Sequence, residues 1–205
     1  MENKWLAYAK RVQALAQAGI TYAVNDYDLE RYEELRKISA EMIADLAHEK
    51  VEFIQDLFKY EVGYQTPKVD VRGVVFQDNK ILKIQERIDN CWSLPGGWAD
   101  VGYSPAEVVV KEVQEESGLE VSPKRLLAVL DKKFHPHPPD IYHIYKIFIE
   151  CEAIGGKLEK GMETLDVGFF GLDNLPQLSL NRITKSQIEL LFEFHSGKRT
   201  APVVD

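Results

Sequence analysis

The chain has 205 residues, of which 45% are hydrophobic and 28% charged, proportions typical of a globular protein that exclude disorder, collagen and simple repeats. Lysine and arginine number 25 against 33 acidic residues, and the net charge of -8 gives no global basic field to hold a polyanion. Any phosphate contact must therefore be local or carried by a metal.

The amino terminus has no signal-peptide pattern, and no apolar run approaches the roughly 20 residues that a membrane helix needs. Only two cysteines are present, Cys91 and Cys151, which is usual for proteins of a reducing compartment. We expect a cytoplasmic protein without a membrane partner and without a structural disulfide.

The first third of the chain has apolar residues at helical spacing, including Trp5, Tyr8 and Leu15, which predicts three helices. The first is expected to stop at Gly19, the second to begin with Asp26 or Asp28 as N-cap, and the third to cover 51–58. Glycine, proline and a loss of period near residue 66 indicate a boundary. We predict a helical domain over 1–66 and a second domain over 67–205.

Beyond this boundary the apolar period drops toward two and β-branched residues concentrate, which predicts strands. The predicted strands cover 69–76, 81–84, 125–131, 141–152 and 167–171, with a polar turn at 78–80 and another turn at Gly155-Gly156. Two helices, over 105–117 and about 184–194, interrupt them. Mixed strands with helices between them predict an α/β or α+β sandwich.

The densest chemical signal lies in residues 96–119. A two-glycine loop precedes Ser104, Pro105 and Glu107, which form a capping-box pattern with proline at the first helical position. Gly118 is expected to end the helix. These signals define both ends of the predicted helix.

Three glutamates on this helix, Glu112, Glu115 and Glu116, have the i, i+3, i+4 spacing that brings side chains together. Acids so close repel one another, and near a helix C-terminus they also oppose its dipole. A hard divalent cation with oxygen ligands would stabilise them. The alternative is a solvated acidic helix face.

These residues resemble the Nudix hydrolase family, whose pattern is G-x(5)-E-x(7)-R-E-U-x-E-E-x-G-U, with U a bulky aliphatic residue. Gly97 begins the pattern here, and the matching positions are Glu112, Val113, Glu115, Glu116, Gly118 and Leu119. Tyr103 stands where the family has glutamate, and Lys111 where it has arginine. Because that pair is thought to support the loop and orient the glutamates, its replacement looks like the loss of one ionic contact.

The resemblance implies a Nudix-type mixed-sheet α/β/α sandwich, preceded by the small all-helical domain. It implies that Glu112, Glu115 and Glu116 are catalytic residues that bind Mg²⁺, with Mn²⁺ as the alternative, and that the backbone carbonyl of Gly96 is a further ligand. The helical N-terminus resembles a subgroup that cleaves nucleoside diphosphates linked to another group. CDP-choline is the first expected substrate and ADP-ribose the second, each giving a nucleoside monophosphate and a phosphorylated remainder.

Two charged residues outside the motif are further candidates. Arg72 lies on a strand between Val71 and Gly73, where an unpaired charge needs solvent or an anion, and the resemblance favours binding of the diphosphate. Related enzymes often place an acidic loop residue, acting as base or extra ligand, just before a strand such as 167–170. Asp166 is predicted in that role, with Glu163 nearby and a surface loop as the alternative.

Three histidines in or near a proline-rich segment, His135, His137 and His143, are predicted to contact phosphate or a nucleobase. Proline stiffens this segment into an extended conformation. A stiff surface loop with incidental histidines is the alternative interpretation.

Other functions remain open at this point. A non-catalytic nucleotide-sensing module would pass its signal to a DNA-binding segment, but the N-terminal helices are net acidic, which disfavours DNA. An RNA-processing or nucleoside triphosphate hydrolase would gain little electrostatic help from a net charge of -8. We therefore expect a pyrophosphatase with a small nucleotide substrate, whose helical domain forms a homodimer contact or covers the substrate pocket.

Overall fold

The computed structural model describes residues 3–205, which divide into two compact units. The first unit extends to Pro67 and includes Pro138–His143, and the second comprises Lys68–His137 and Ile144–Asp205. Domain bounds of 1–66 and 67–205 stay a prediction. None of the helices described within residues 3–205 combines the length and apolarity needed to span a membrane.

The first unit contains the three predicted helices, α1 (Lys4–Tyr22), α2 (Asp26–Ala47) and α3 (Val51–Phe58). Asn25, rather than Asp26 or Asp28, is the N-cap of α2, and its side-chain oxygen accepts the backbone N–H of Asp28 at 2.8 Å. Asparagine caps a helix as well as aspartate does, because both side chains present an oxygen at the same reach.

The predicted stop at Gly19 is wrong, because α1 continues to Tyr22. A Cβ atom at Gly19 would lie 2.3 Å from the Tyr32 ring on α2. The glycine therefore allows the two helices to approach closely, and its presence does not signal the helix end.

Small and aliphatic side chains form the core of the first unit: Leu6, Ala9, Ala40, Ile43, Ala44, Ile54 and Phe58. Ile141 packs against this core, and Lys10 Nζ donates hydrogen bonds to the backbone carbonyls of Asp140 and Tyr142. Trp5, Tyr8 and Leu15, which predicted the first helix, lie on α1 as expected, and their side chains are exposed.

The second unit is an α/β/α sandwich with eight strands and two helices, α4 (Pro105–Ser117) and α5 (Lys185–His195). Its strands are β1 (Lys68–Gln77), β2 (Lys80–Glu86), β3 (Trp92–Ser93), β4 (Gly96–Trp98), β5 (Leu119–Asp131), β6 (Ile144–Gly156), β7 (Thr164–Phe170) and β8 (Val203–Val204). The sheet follows the order β3-β2-β1-β6-β5-β8, while β4 pairs with β1 and β7 with β2. Parallel β1–β6 and antiparallel β5–β6 pairing make it the predicted mixed sheet.

The two faces of the sheet are covered by different helices. Val109 and Val113 of α4 pack with Val71 and Val75 on one face. On the other face, α5 contributes Ile188, Leu191 and Phe194 to a cluster with Val74, Ile81 and Phe148. The alternation of β1 side chains between these clusters follows from the two-residue period of a strand.

Several strand boundaries differ from the prediction: β5 begins at Leu119 and not at 125, β7 begins at Thr164 and not at 167, and both ends of β6 differ. Strand β6 begins at Ile144, because residues 138–143 belong to the first unit, and it continues through the predicted turn at Gly155-Gly156. Gly156 pairs with Leu119 on β5 and has a φ of 81°, and a Cβ atom there would lie 2.3 Å from the Gly118 carbonyl oxygen. The glycine pair therefore serves close strand pairing and does not form the turn.

Lys83 is a fully buried charged residue on β2, paired with Gly168 of β7. Its Nζ atom finds no hydrogen-bond partner among residues 3–205. Burial lowers the pKa of this amine to about 7. Placing an unpartnered amine here costs folding free energy, because the charged form loses its hydration.

Replacing Lys83 by Met removes the amine and keeps most of the side-chain volume, so we expect the free energy of unfolding at pH 7 to rise by about 2–4 kcal/mol. In the wild type, the unfolded chain binds more protons than the folded chain between about pH 7 and 10.5, so wild-type stability rises with pH across this window. The advantage of the variant should therefore shrink at pH 10. Urea unfolding at both pH values measures it.

Lys80→Met, at the exposed end of the same strand, is the control and should change stability little at either pH. A gain for Lys83→Met that is equal at pH 7 and pH 10 would contradict the assignment of the effect to a buried amine.

Candidate active site

Helix α4 begins and ends where the sequence predicts. The Ser104 hydroxyl accepts the backbone N–H of Glu107 at 3.3 Å, and Glu107 Oε2 accepts the backbone N–H of Ser104 at 2.8 Å, which completes the capping box. Gly118 ends the helix with a φ of 72°. These caps fix which turns of the helix carry the three glutamates.

The helix lies close to the sheet because Gly73 on β1 has no side chain. A Cβ atom there would lie 2.5 Å from Cγ2 of Val113 and 2.9 Å from Cγ2 of Val109. A larger residue would move the helix away from β1, and with it the glutamates that α4 carries.

Gly96 joins the glycine loop to both the sheet and the helix. It pairs with Arg72 on β1 and has a φ of 140°, and a Cβ atom would lie 2.1 Å from the Val71 carbonyl oxygen, so only glycine fits. Its backbone N–H donates to Glu116 Oε2 at 2.7 Å. This contact uses the amide of Gly96, and the role of its carbonyl as a metal ligand stays a prediction.

Two of the three glutamates, Glu112 and Glu116, line one cavity of about 560 Å³. The complete wall consists of Glu86, Arg87, Ile88, Gly96, Gly97, Trp98, Asp100, Glu112, Glu116, Met162, Glu163 and Arg182. Glu115 is exposed on the helix and does not belong to this wall.

The two cavity glutamates resist ionisation. Burial raises the pKa of Glu112, and it raises the pKa of Glu116 to about 8, although the Arg72 guanidinium opposes both shifts. The charge of Glu112 adds to the rise at Glu116. A cation bound between them would favour the charged form of both groups.

The residues present fit a hard divalent cation. Within residues 3–205 no three side chains of histidine, cysteine, aspartate or glutamate lie close enough to form a complete metal cage. The carboxylates of Glu112 and Glu116 would therefore supply the protein ligands, with water and substrate oxygens completing the shell. Mg²⁺ is usually bound in this way, by one or two carboxylates together with phosphates.

Arg72 lies beneath the glutamates and outside the cavity wall. Its guanidinium donates to both carboxylate oxygens of Asp70, at 2.7 and 3.1 Å, and to the Leu94 carbonyl at 3.0 Å. Lys146 also donates to Asp70, and all three charged side chains are buried. Burial opposes ionisation of Asp70, but the two cations hold its pKa well below the usual range.

Tyr103 and Lys111, the two departures from the family pattern, lie near each other. Lys111 Nζ lies 5.8 Å from the centre of the Tyr103 ring and 3.6 Å from Asp100 Oδ2. Tyr103 therefore offers the face of its ring to the cation, where the family pattern has an ion pair. Glu115, followed by Asp100 and Glu112, raises the pKa of Lys111.

Of the two predicted acids, Glu163 immediately precedes β7 and is part of the cavity wall, whereas Asp166 lies within β7 and is not. Asp166 is exposed, and its side chain accepts the backbone N–H of Val167 at 2.8 Å. The charge of Glu163 contributes to the raised pKa of Glu112. Glu163 is therefore the one of these two acids that shares the cavity with Glu112 and Glu116.

The structure does not place the predicted histidines in the cavity wall. His135 Nε2 lies 3.0 Å from Asp205 Oδ2, and His137 Nδ1 lies 2.6 Å from the Leu180 carbonyl oxygen. Burial lowers the pKa of His137 to about 4, which keeps it neutral near pH 7. His143 belongs to the first unit.

Glu86 and Arg182 form a second charged group in the cavity, which the sequence patterns do not predict. Arg182 Nε lies 2.9 Å from Glu86 Oε1, and Ser93 Oγ donates to the same oxygen at 2.7 Å. No spacing in the sequence relates these residues, which lie on β2, on β3 and just before α5. The tertiary fold brings these three residues together.

Comparisons with known families match the N-terminal helices and most of the remainder of the chain to two different families. Residues 66–192 match the family described as NUDIX domain, and residues 3–58 match one described as UDP-X-like, N-terminal oligomerisation domain. The chain belongs to the Nudix family, and it is a Nudix hydrolase.

The similar proteins include YjhB of Bacillus subtilis (strain 168), which is provisionally named as an ADP-ribose pyrophosphatase. It is 53% identical over 202 residues, covering 98% of this chain and 97% of that protein. A crystal structure of a UDP-X diphosphatase is 35% identical, with a TM-score of 0.65 over 98% of both chains. An ADP-ribose pyrophosphatase from Streptococcus suis 89-1591 is 44% identical, with a TM-score of 0.62 over 68% of this chain and 100% of that one.

Because Tyr103 and Lys111 are in contact, Tyr103→Glu and Lys111→Arg should affect the turnover number non-additively. The double variant restores the ion pair of the family pattern, so its effect should differ from the sum of the two single effects by at least about 0.5 kcal/mol. A double-mutant cycle on turnover measures this coupling.

The matched control combines Tyr103→Glu with Lys124→Arg, a surface lysine that pairs with Glu152 instead. That pair should be additive. Additivity in the Tyr103/Lys111 cycle as well would show that this contact has no influence on turnover.

Proposed function

We propose that the protein uses Mg²⁺ to hydrolyse the diphosphate bond of a nucleoside diphosphate joined to another group. We propose ADP-ribose as the preferred substrate. The observation that carries the proposal is the pair of half-buried carboxylates, Glu112 and Glu116, in one cavity beside the Gly96 amide. The names of two relatives favour ADP-ribose over CDP-choline, and a third favours UDP-linked conjugates. CDP-choline stays a prediction.

Each group in the cavity has a role that follows from its position. A bound Mg²⁺ or Mn²⁺ would neutralise phosphoryl oxygens and acidify a water molecule. Glu112 and Glu116 would hold this cation, and the Gly96 N–H keeps one Glu116 oxygen in place, which leaves the other free. Glu163, on the same wall, would accept a proton from the attacking water.

Direct assay with identified products tests the proposal. The chain is incubated with Mg²⁺ and, separately, with ADP-ribose, UDP-glucose, CDP-choline, ATP and triphosphate-ended RNA, and the products are identified by mass. We expect AMP and ribose 5-phosphate from ADP-ribose, loss of activity with a chelator, and recovery with Mg²⁺ or Mn²⁺. Activity confined to ATP or RNA ends would contradict the proposal, and hydrolysis of no compound would favour a sensing module.

Glu112→Gln and Glu116→Gln should each lower kcat/KM by at least ~10² while leaving the metal-free melting temperature unchanged or higher, because each removes a half-buried acid whose charged form is destabilised there. Glu115→Gln tests the implied third ligand, since a comparable loss means that this exposed side chain takes part in metal binding. Glu189→Gln, an exposed glutamate on α5, is the matched control. Retained activity in all three test variants would contradict the assignment of these glutamates as metal ligands.

We further propose that the helical unit forms a homodimer and that the protein works in the reducing cytoplasm. Large apolar side chains lie exposed on its helices, among them Trp5, Leu15, Tyr22 and Leu35. The family match over residues 3–58 carries the description of an oligomerisation domain, which supports self-association. The free thiols of Cys91 and Cys151 agree with a reducing compartment.

Leu15→Glu should weaken the dimer, because Leu15 is 67% exposed and a charge in an apolar interface is not solvated. Light scattering coupled to gel filtration measures the mass. Ile154→Glu is the matched control, since Ile154 is 66% exposed on β6 of the other unit. A wild-type monomer, or equal dissociation of both variants, would contradict the proposal.

A further inference from the structure

We propose that Arg182 binds a phosphoryl group of the substrate and that Glu86 and Ser93 are the residues that position it. This inference rests on the proposed function and names a contact within the same cavity. Arg182 lines the wall together with Glu112 and Glu116, and its side chain is one-third exposed there. It is therefore accessible to a ligand in the cavity.

The charge of the cavity wall favours such a residue. Five carboxylates line it, from Glu86, Asp100, Glu112, Glu116 and Glu163, and these would repel a diphosphate. Two cations face them, Arg87 and Arg182. Arg87 Nε donates to the Met162 carbonyl at 2.9 Å, so its guanidinium holds the neighbouring loop.

Only the Nε side of the Arg182 guanidinium contacts another side chain among residues 3–205. Its Nε lies 2.9 Å from Glu86 Oε1, while Nη1 and Nη2 make no hydrogen bond to any part of the chain described, residues 3–205. These terminal groups form the planar fork that matches two phosphate oxygens. Arg72, the arginine predicted for this role, has its fork on Asp70 instead.

Buried polar contacts hold Glu86 and the turn that carries Arg182. Glu86 is 7% exposed, and Ser93 Oγ donates to its Oε1 at 2.7 Å. The Arg182 backbone N–H donates to the Ser179 carbonyl at 2.8 Å, and the Ser179 hydroxyl donates to Asp89 at 2.7 Å. Arg182 therefore lies on a fixed turn, which limits the entropy lost when it binds a ligand.

If the Arg182–Glu86 pair had a purely structural role, the expected result would be different. If Arg182 only neutralised Glu86, then removing both charges together would leave substrate binding unchanged. If it binds phosphate, the loss persists when Glu86 is neutralised as well, and Glu86 matters only while Arg182 is present. This difference can be measured as a change in KM separate from kcat.

The test compares Arg182→Met, Arg182→Lys, Glu86→Gln and the double variant Arg182→Met/Glu86→Gln with ADP-ribose and Mg²⁺. We expect Arg182→Met to raise KM about 10- to 50-fold with less than about 5-fold change in kcat, and Arg182→Lys to recover part of this loss. Glu86→Gln should raise KM about 3- to 10-fold in the wild type and have no further effect beside Arg182→Met. Arg199→Met, which breaks the exposed Arg199–Glu193 pair, should leave KM within 2-fold.

Binding of α,β-methylene-ADP, a diphosphate that cannot be hydrolysed at that bridge, gives a readout that does not depend on turnover. Calorimetry with Mg²⁺ should show at least 10-fold weaker binding to the folded double variant than to the wild type. Unchanged KM and unchanged binding in that variant would overturn the inference, even if the wild type hydrolyses ADP-ribose. If no conjugate is hydrolysed, the proposed function fails while this binding comparison still decides the role of Arg182.

Discussion

The hydrogen bond from the Gly96 amide to the Glu116 carboxylate is the contact on which the site depends, since it joins the loop, the sheet and the helix. It can form only because two positions lack a side chain. Gly96 passes close to the Val71 carbonyl, and Gly73 lets α4 approach β1. The two glycines thus allow a close approach of the backbone, which places the half-buried Glu116 carboxylate within hydrogen-bond distance of the Gly96 amide.

The parts of this site that could be predicted from sequence are those governed by local geometry. The capping box at Ser104, the end at Gly118 and the spacing of the glutamates all depend on residues within one helix, so helical periodicity determines them. The mixed sandwich was predictable for the same reason, from strand and helix periods taken in order. A glycine in a helical pattern can mark either the end of the helix or a close contact with another helix. The prediction at Gly19 failed because this glycine allows close helix packing and does not end the helix.

The rest of the site comes from contacts between residues far apart in the chain. Lys146 contacts Asp70 across 76 positions, and the Leu180 carbonyl that contacts His137 is 43 positions away. A charged residue within a strand, such as Arg72, is an anion-binding candidate until its partner is known. Asp70 supplies that partner from the same face of β1, and the bidentate pair leaves the Arg72 fork occupied.

The buried Asp70–Arg72–Lys146 cluster also sets the charge beneath helix α4. Burial lowers the pKa of Lys146 to about 8, which still leaves it mostly charged at neutral pH, so two cations face one carboxylate. The excess positive charge counteracts the raised pKa values of Glu112 and Glu116 through Arg72. Because this charge is buried, salt screens it weakly. At neutral pH the fold therefore places a net positive charge beneath the acidic cavity wall, and a divalent cation in the cavity would stabilise the same carboxylates further.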